Sequence, residues 1–284
     1  MINQMQIFAV VTFAVFRTSH GFSFLIDSQG KLVTVYDMGG LRGSMLFATS
    51  PSNNVDTAFG PHGYNFSSRI GWDQFYSEDD EKSVFEWHSE LDNEDIVTQL
   101  LEYSKDFDGV QSHLLVGTGN SMLPRVLYDR IARNTQEQID VTCLDYSKAC
   151  IDNLRKAHES ACPGMRFIHG DATKLQSLFQ DDDCGDDHDE DNRCNDRFHT
   201  IIDKGLLDAL MCSEGWNGPV TEVLQGAASV VCDNGKYILI SYKLPLSTKD
   251  FFREVTKGVF EWNFDVPKVS SERISFSVAT RIKR

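Results

Sequence analysis

The sequence is short of positive charge. Its 284 residues hold 27 Lys and Arg against 42 Asp and Glu, a formal net charge of −15. That balance argues against nucleic acid as a partner, because such binding depends on Lys and Arg neutralising phosphates. It favours a basic partner, such as a lysine-rich protein surface. Cysteine is scarce and late: there are seven, the first at Cys143, an odd number without regular spacing. This excludes a disulfide framework and reads as free thiols in a reducing compartment. Cys184, His188 and Cys194 fit no zinc spacing, so no metal is expected. Long apolar runs are also missing. The run Ile7–Phe16 has ten residues, against the roughly 20 that a spanning helix needs.

Acid itself is nearly absent at the start. The first 70 residues hold three acids (Asp27, Asp37 and Asp56), while twelve Ser or Thr fall between Thr18 and Ser68. Ile7–Phe16 has the length of a signal-peptide apolar region, and Ser19-His20-Gly21 supplies a small-residue exit, although no positive charge precedes it. The stretch Phe22–Ile70 has the composition of a transit peptide. This order resembles the bipartite plastid leader of algae with secondary plastids. The expectation is a leader or disordered extension over 1–67, with the mature protein in an organelle (plastid or mitochondrion) and no membrane partner in the mature form. By contrast, 181–196 concentrates nine acids and one Arg, and is expected to be an acidic surface insertion.

Residues 68–284 read as one domain. Short β-rich apolar runs alternate with helical stretches, the pattern of a parallel sheet with crossover helices. The expected strands are His113–Gly117, Ile139–Leu144, Met165–His169, Phe198–Ile202, Lys236–Tyr242, Val259–Val266 and Arg273–Ile282. Between them lie expected helices at Asp92–Ser104, Ser121–Arg133, Lys148–Glu159, Leu206–Cys212, Pro219–Val231 and Thr248–Val255. The fold class is therefore α/β, a doubly wound sheet of seven strands.

The chemistry sits where strands end. His113-Leu-Leu-Val-Gly117-Thr-Gly119 runs from a strand through two glycines into a helix, a turn that lets a ligand approach the backbone. Met122 stands where a dinucleotide loop needs its third Gly, and no Gly-Lys-Ser/Thr follows. The second strand ends at Asp145, 28 residues beyond Gly117, where a carboxylate accepts from ribose hydroxyls. Ser147 is placed to cap the next helix. The third strand ends in Gly170-Asp171-Ala172 and the fourth in Asp203-Lys204-Gly205. Three successive strands thus present an acid at their C-terminal edge, where ligands bind in open α/β sheets.

In this order the sequence resembles the class I S-adenosylmethionine-dependent methyltransferases. Gly117-Thr-Gly119-Asn-Ser121, Leu127-Tyr-Asp129, Asp145-Tyr-Ser147 and Asp203-Lys-Gly-Leu-Leu-Asp-Ala209 resemble the protein-lysine methyltransferases of elongation factors and citrate synthase. So do Trp72-Asp-Gln-Phe-Tyr76 and Phe85-Glu-Trp87. The resemblance covers about 68 to 245 and, loosely, the last two strands; it implies a mostly parallel sheet with an antiparallel C-terminal strand. It departs at Leu115, where class I enzymes usually carry an acid although this subgroup tends to be apolar, and at Thr118, where the subgroup usually has Cys.

The resemblance implies S-adenosylmethionine as cofactor, held by Trp72, Tyr76, Trp87, Gly117, Gly119, Asp145, Tyr146, Asp171, Ala172 and Lys204. The three aromatics would cover the sulfonium, Tyr146 a face of adenine, and Asp171 and Ala172 its edge; Lys204 would meet the cofactor carboxylate or pair with Asp203. It also implies an accessible lysine of a partner protein as acceptor. Asp203 would orient the amine or take its proton, and Tyr242 would line the mouth. Two other readings remain at this point: a small-molecule methyltransferase of the same fold, and a binding module without activity.

Overall fold

The computed structural model describes residues 14–17, 23–26, 32–35, 66, 68–78, 86–104, 107, 111–134, 140–179, 197–267 and 269–283. The chain divides into two compact units, Met1–Gly71 and Trp72–Arg284. In the first, β1 (Ala14–Arg17), β2 (Ser23–Ile26) and β3 (Leu32–Val35) pair antiparallel in that order. The expected leader, 1–67, covers these strands and residues outside the described set, and the acidic insertion 181–196 lies wholly outside it.

The second unit is built on seven strands: β4 (Ser112–Val116), β5 (Asp140–Asp145), β6 (Met165–His169), β7 (Phe198–Lys204), β8 (Val231–Tyr242), β9 (Phe260–Asn263) and β10 (Ile274–Arg281). Their order in the sheet is β6-β5-β4-β7-β8-β10-β9. Every pairing from β6 to β8 is parallel, and β10 runs antiparallel to both β8 and β9. This is the doubly wound, seven-stranded α/β sheet expected from the alternation of short strands and helices. The winding direction reverses between β4 and β7, and in open α/β sheets ligands bind at such a reversal, beyond the strands' C-terminal ends.

Three of the helices join the sheet through apolar stripes. On α7 (Asn217–Val230), the buried residues Val220, Val223, Leu224 and Ala227 recur at helical spacing and meet Ile201, Tyr237 and Leu239 in one core. On α3 (Leu123–Asn134), Leu123, Leu127 and Tyr128 are buried; on α4 (Lys148–His158), Cys150, Ile151 and Leu154 are. Ser147 caps α4 as expected, accepting from Cys150 N–H, and Arg155, Lys156 and His158 in the last turn suit the helix dipole. Four further helices are α2 (Asn93–Ser104), α5 (Leu175–Phe179), α6 (Leu206–Met211) and α8 (Leu246–Val255).

Several elements differ from the sequence expectation, which offered no counterpart for β1 to β3 or for α5. The motif Trp72–Tyr76 lies on a helix, α1 (Arg69–Glu78), which the amphipathic pattern did not announce. The strand expected from Lys236 begins at Val231, and Asn234 takes φ 62° within an irregular stretch of it. Arg281 stitches this stretch, donating to Val231 O at 2.8 Å and pairing with Asp233 at 3.2 Å. No helix among the described residues is long and apolar enough to cross a membrane. The five cysteines described are free thiols.

Candidate active site

The site grows from the turn after β4. Gly117 and Gly119 both take φ +58°, a left-handed conformation that disfavours side chains. A Cβ at Gly117 would stand 2.8 Å from Leu206 Cβ, and one at Gly119 would stand 2.9 Å from Tyr76 Oη. The turn is tied to β5: Thr118 N–H donates to Leu144 O at 3.1 Å, and Gly119 N–H to Asp145 Oδ2 at 3.0 Å. The other Asp145 oxygen accepts from Ser147 N–H at 2.9 Å. Burial raises the Asp145 carboxyl above its usual range, although these two N–H groups pull it back. A carboxylate oxygen accepts twice, so Asp145 keeps acceptor capacity after fixing the turn. Tyr146 is partly buried and its carbonyl accepts from His169 Nε2 at 3.1 Å. Asp171 is exposed and accepts from Thr173 N–H at 2.9 Å, while Ala172 beside it is buried.

Helix α1 lies against the ends of β4 and β5. Ser147 Oγ donates to Asp73 at 2.6 Å and Asn153 Nδ2 to Tyr76 O at 3.0 Å. Trp72 stacks on Tyr76 (centroids 5.9 Å apart, 20° between planes) and meets Trp87 at 5.9 Å and 50°. The structure therefore gathers Trp72, Tyr76, Trp87, Gly117, Gly119 and Asp145, which the sequence spreads over 74 positions.

A residue the sequence reading passed over, Glu86, organises the other side. Its Oε1 accepts from Met122 N–H at 2.6 Å and Asn93 Nδ2 at 3.0 Å; its Oε2 accepts from Ser121 Oγ at 2.8 Å and Lys204 Nζ at 2.5 Å. Burial pushes the Glu86 carboxyl up, but Lys204 and the other donors outweigh it and hold it below its ordinary value. Lys204 has fewer partners, and burial holds its ammonium below its ordinary value despite Glu86. Lys204 thus pairs with Glu86, not with Asp203. A pocket between β4, β7 and α3 is lined in part by Gly117, Thr118, Ser121, Ile202 and Lys204.

Asp203 does not stand at the mouth. Successive strand residues face opposite ways, so with Lys204 turned toward Glu86, Asp203 turns into the core, fully buried. Its oxygens accept from Tyr237 Oη at 2.8 Å and from Leu206 N–H at 2.9 Å, capping α6. Burial pushes its carboxyl up to about 7. The proton-taking role expected of Asp203 is corrected accordingly: enclosed in this way, it meets Tyr237 and the start of α6 rather than an incoming amine.

Tyr242, at the end of β8 and partly exposed, meets the edge of His88, with centroids 4.8 Å apart. His88 Nε2 donates to Asp208 at 2.8 Å; both side chains are buried, and no hydrogen-bond partner of His88 Nδ1 is found among the described residues. Asp208 lies in the first turn of α6, so it also favours that helix's dipole. No pattern in the sequence flags the His88–Asp208 contact, which spans 120 positions.

No protein-family model matches this chain. The chain is similar to the eEF1A lysine and N-terminal methyltransferase of Danio rerio, at 30% identity over 176 residues, 62% of this chain and 21% of that protein. The Xenopus laevis protein of the same name is 28% identical over 195 residues, 68% of this chain and 24% of that one. The chain thus spans about a quarter or less of the length of these relatives. Among solved structures, N-methyltransferase NodS from Bradyrhizobium japonicum, in complex with S-adenosyl-L-homocysteine, aligns with a TM-score of 0.48 at 10% identity. That alignment covers 75% of this chain and 99% of that one. The strand order and the single antiparallel strand are those of a doubly wound, seven-stranded α/β sheet, as the sequence pattern predicts.

Proposed function

We propose that this protein is an S-adenosylmethionine-dependent methyltransferase whose acceptor is a lysine side chain of another protein. The observation that carries the reading is convergence: two left-handed glycines, the buried Asp145 and an aromatic cluster meet where the sheet's winding reverses. The similarity to eEF1A lysine and N-terminal methyltransferases supports both the reaction and a protein acceptor. The residues suit the cofactor. The turn at Gly117 and Gly119 has no room for side chains, Asp145 has acceptor capacity to spare, and the flat faces of Trp72, Tyr76 and Trp87 suit a cation, worth about 0.5–2 kcal/mol.

S-adenosylmethionine, when bound, supplies a methyl group on a positively charged sulfur. The chain's own residues then have to align and to dry. Holding reactants in line is worth up to roughly 7–11 kcal/mol. A lysine must arrive uncharged, and apolar surroundings lower an ammonium's pKa. Trp87, His88 and Tyr242 give the acceptor side that aromatic character.

The test is incubation of the full chain with methyl-labelled S-adenosylmethionine and cell extract, followed by acid hydrolysis of labelled protein. Methyl-lysine is the expected product. Methyl-arginine, methyl-histidine or label confined to small molecules would refute the lysine acceptor and leave methyl transfer standing; no label anywhere would refute both.

A further inference from the structure

Residues 86–90 are fastened to the C-terminal edge of the sheet by alternate side chains. Glu86 meets Lys204 at the end of β7, His88 meets Asp208 on α6, and Glu90 meets Arg273 just before β10. The outer two contacts join an acid to a lysine or an arginine. The middle one does not: among the described residues Asp208 pairs with His88 and with no Lys or Arg. His88 makes this contact from an unfavourable backbone. Its φ is 56°, a left-handed value that few residues other than glycine adopt. Its ring is enclosed, with no partner for Nδ1 among the described residues. Backbone strain of this kind persists where surrounding structure imposes it, and it gathers at ligand sites.

The effect of the contact is to fix the direction of the Asp208 carboxylate while leaving it acceptor capacity. A carboxylate offers about four acceptor positions, and the side-chain hydrogen bond found for Asp208 among the described residues is the one at 2.8 Å from His88. Asp208 keeps 9% exposure, so its side chain is not sealed. The His88 ring packs over Gly205 in the turn after β7, where an added Cβ would stand 3.6 Å from His88 Nε2 and 3.5 Å from Trp87. The rings beside His88 are those of Trp87, 6.5 Å away, and Tyr242, 4.8 Å away. Aromatic faces attract a cation, and a carboxylate largely withdrawn from water calls for an opposite charge.

We propose that Asp208, held in place by His88, selects the acceptor: it takes hydrogen bonds from the primary ammonium of the incoming side chain, whose unbranched apolar stem lies along Trp87 and Tyr242. The inference rests on the methyltransferase reading and names the residue that determines its specificity. An ammonium supplies three donors and a positive charge. A hydroxyl supplies one donor and no charge, and a carboxylate would be repelled. Asp208 thereby fills, five residues along the chain, the place from which burial removes Asp203. A carboxylate favours the charged form of an amine, so this contact serves recognition and not the loss of the proton.

The test is a saturation-transfer NMR titration of the full chain, with S-adenosylhomocysteine present, against two probes. One is n-butylamine, which has the stem and ammonium of a lysine side chain; the other is 1-butanol, which has the same stem and no charge. Wild type should bind n-butylamine at least about tenfold more tightly than 1-butanol. Asp208→Asn keeps the shape and an oxygen for His88. It should weaken n-butylamine about tenfold and leave 1-butanol, and S-adenosylhomocysteine by calorimetry, unchanged. No preference for the amine in wild type, or an unaltered preference in Asp208→Asn, would overturn the proposal. Equal losses for all three ligands would also overturn it and leave His88–Asp208 as a pin for residues 86–90. If Asp208→Asn does not fold, His88→Asn takes its place, because asparagine tolerates a left-handed backbone and is shorter than histidine. It should cut the amine preference at least about threefold, and an unchanged preference would overturn the proposal. Failure of wild type to bind S-adenosylhomocysteine is the separate sign that the methyltransferase reading has failed, and the proposal falls with it.

Discussion

Asp203→Asn should make the protein more stable at alkaline pH than at acid pH, relative to wild type. Asp203 is fully buried and its carboxyl is pushed up to about 7, while the ordinary value is 3.8. Between those values the unfolded chain has released the proton and the folded chain retains it, so stability contributed by this group falls as pH rises. A shift of about three pH units at about 1.4 kcal/mol each gives about 4 kcal/mol, fully lost above pH 7. Asparagine has no proton to lose. It keeps an oxygen for Leu206 N–H, and its amide can donate to the Tyr237 hydroxyl oxygen. At pH 4, where wild type is mostly protonated when folded, the two proteins should lie within about 1 kcal/mol of each other. By pH 8 the difference should have moved in the variant's favour by up to about 4 kcal/mol. Urea unfolding across this range, extrapolated linearly, measures the difference, and other titrating groups cancel between wild type and variant. A difference that does not change with pH would refute the reasoning.

Three further outcomes are expected. His113, buried with both ring nitrogens lacking partners among the described residues, is held down to about 4 by burial. The unfolded chain takes up its proton first, so stability is lost as pH falls from about 6.5 to about 4, by about 3 kcal/mol at most, and His113→Leu should flatten this acid limb in the same unfolding series. Gly119→Ala places a Cβ 2.9 Å from Tyr76 Oη in a left-handed backbone, and should cost about 1–2 kcal/mol from the backbone alone, read as a lower Tm together with weaker S-adenosylhomocysteine binding. Asp145→Asn should weaken that binding about tenfold, measured by calorimetry; an unchanged Kd would leave Asp145 as a support for the Gly119 turn only.

The His113 and Asp203 slopes oppose each other between pH 4 and 6.5. The wild-type profile alone should therefore look flatter there than either group would make it, and only the single variants separate them.

Much of the frame was legible in the residues. Strands β4 to β7 announce themselves as apolar runs, the two glycines mark the turn, and the acids after β5 and β6 stand where expected. The pattern failed where a side chain's direction decides its role. Asp203 and Lys204 are adjacent on one strand, so the pleat allows only one of them to face the site, and nothing local says which. Glu86–Lys204 and His88–Asp208 join residues 118 and 120 positions apart, a distance that no periodicity carries. Helix α1 escaped notice because its faces are not sharply divided: Trp72 and Tyr76 are buried, while Ile70 is exposed.

The placement of β10 bears on how this protein is made. The strand nearest the chain's end does not sit at the sheet's rim; it lies between β8 and β9, with Phe276, Val278 and Ala279 buried. On the ribosome, β9 has no partner until Ile274–Arg281 has emerged, and until then β8 presents an open apolar edge. Such an edge is a template for pairing with a neighbouring chain. Nascent or prematurely terminated chains ending before Ile274 should thus depend on chaperones more than their intact α/β half suggests, and a stop codon there would yield aggregates rather than a smaller folded protein.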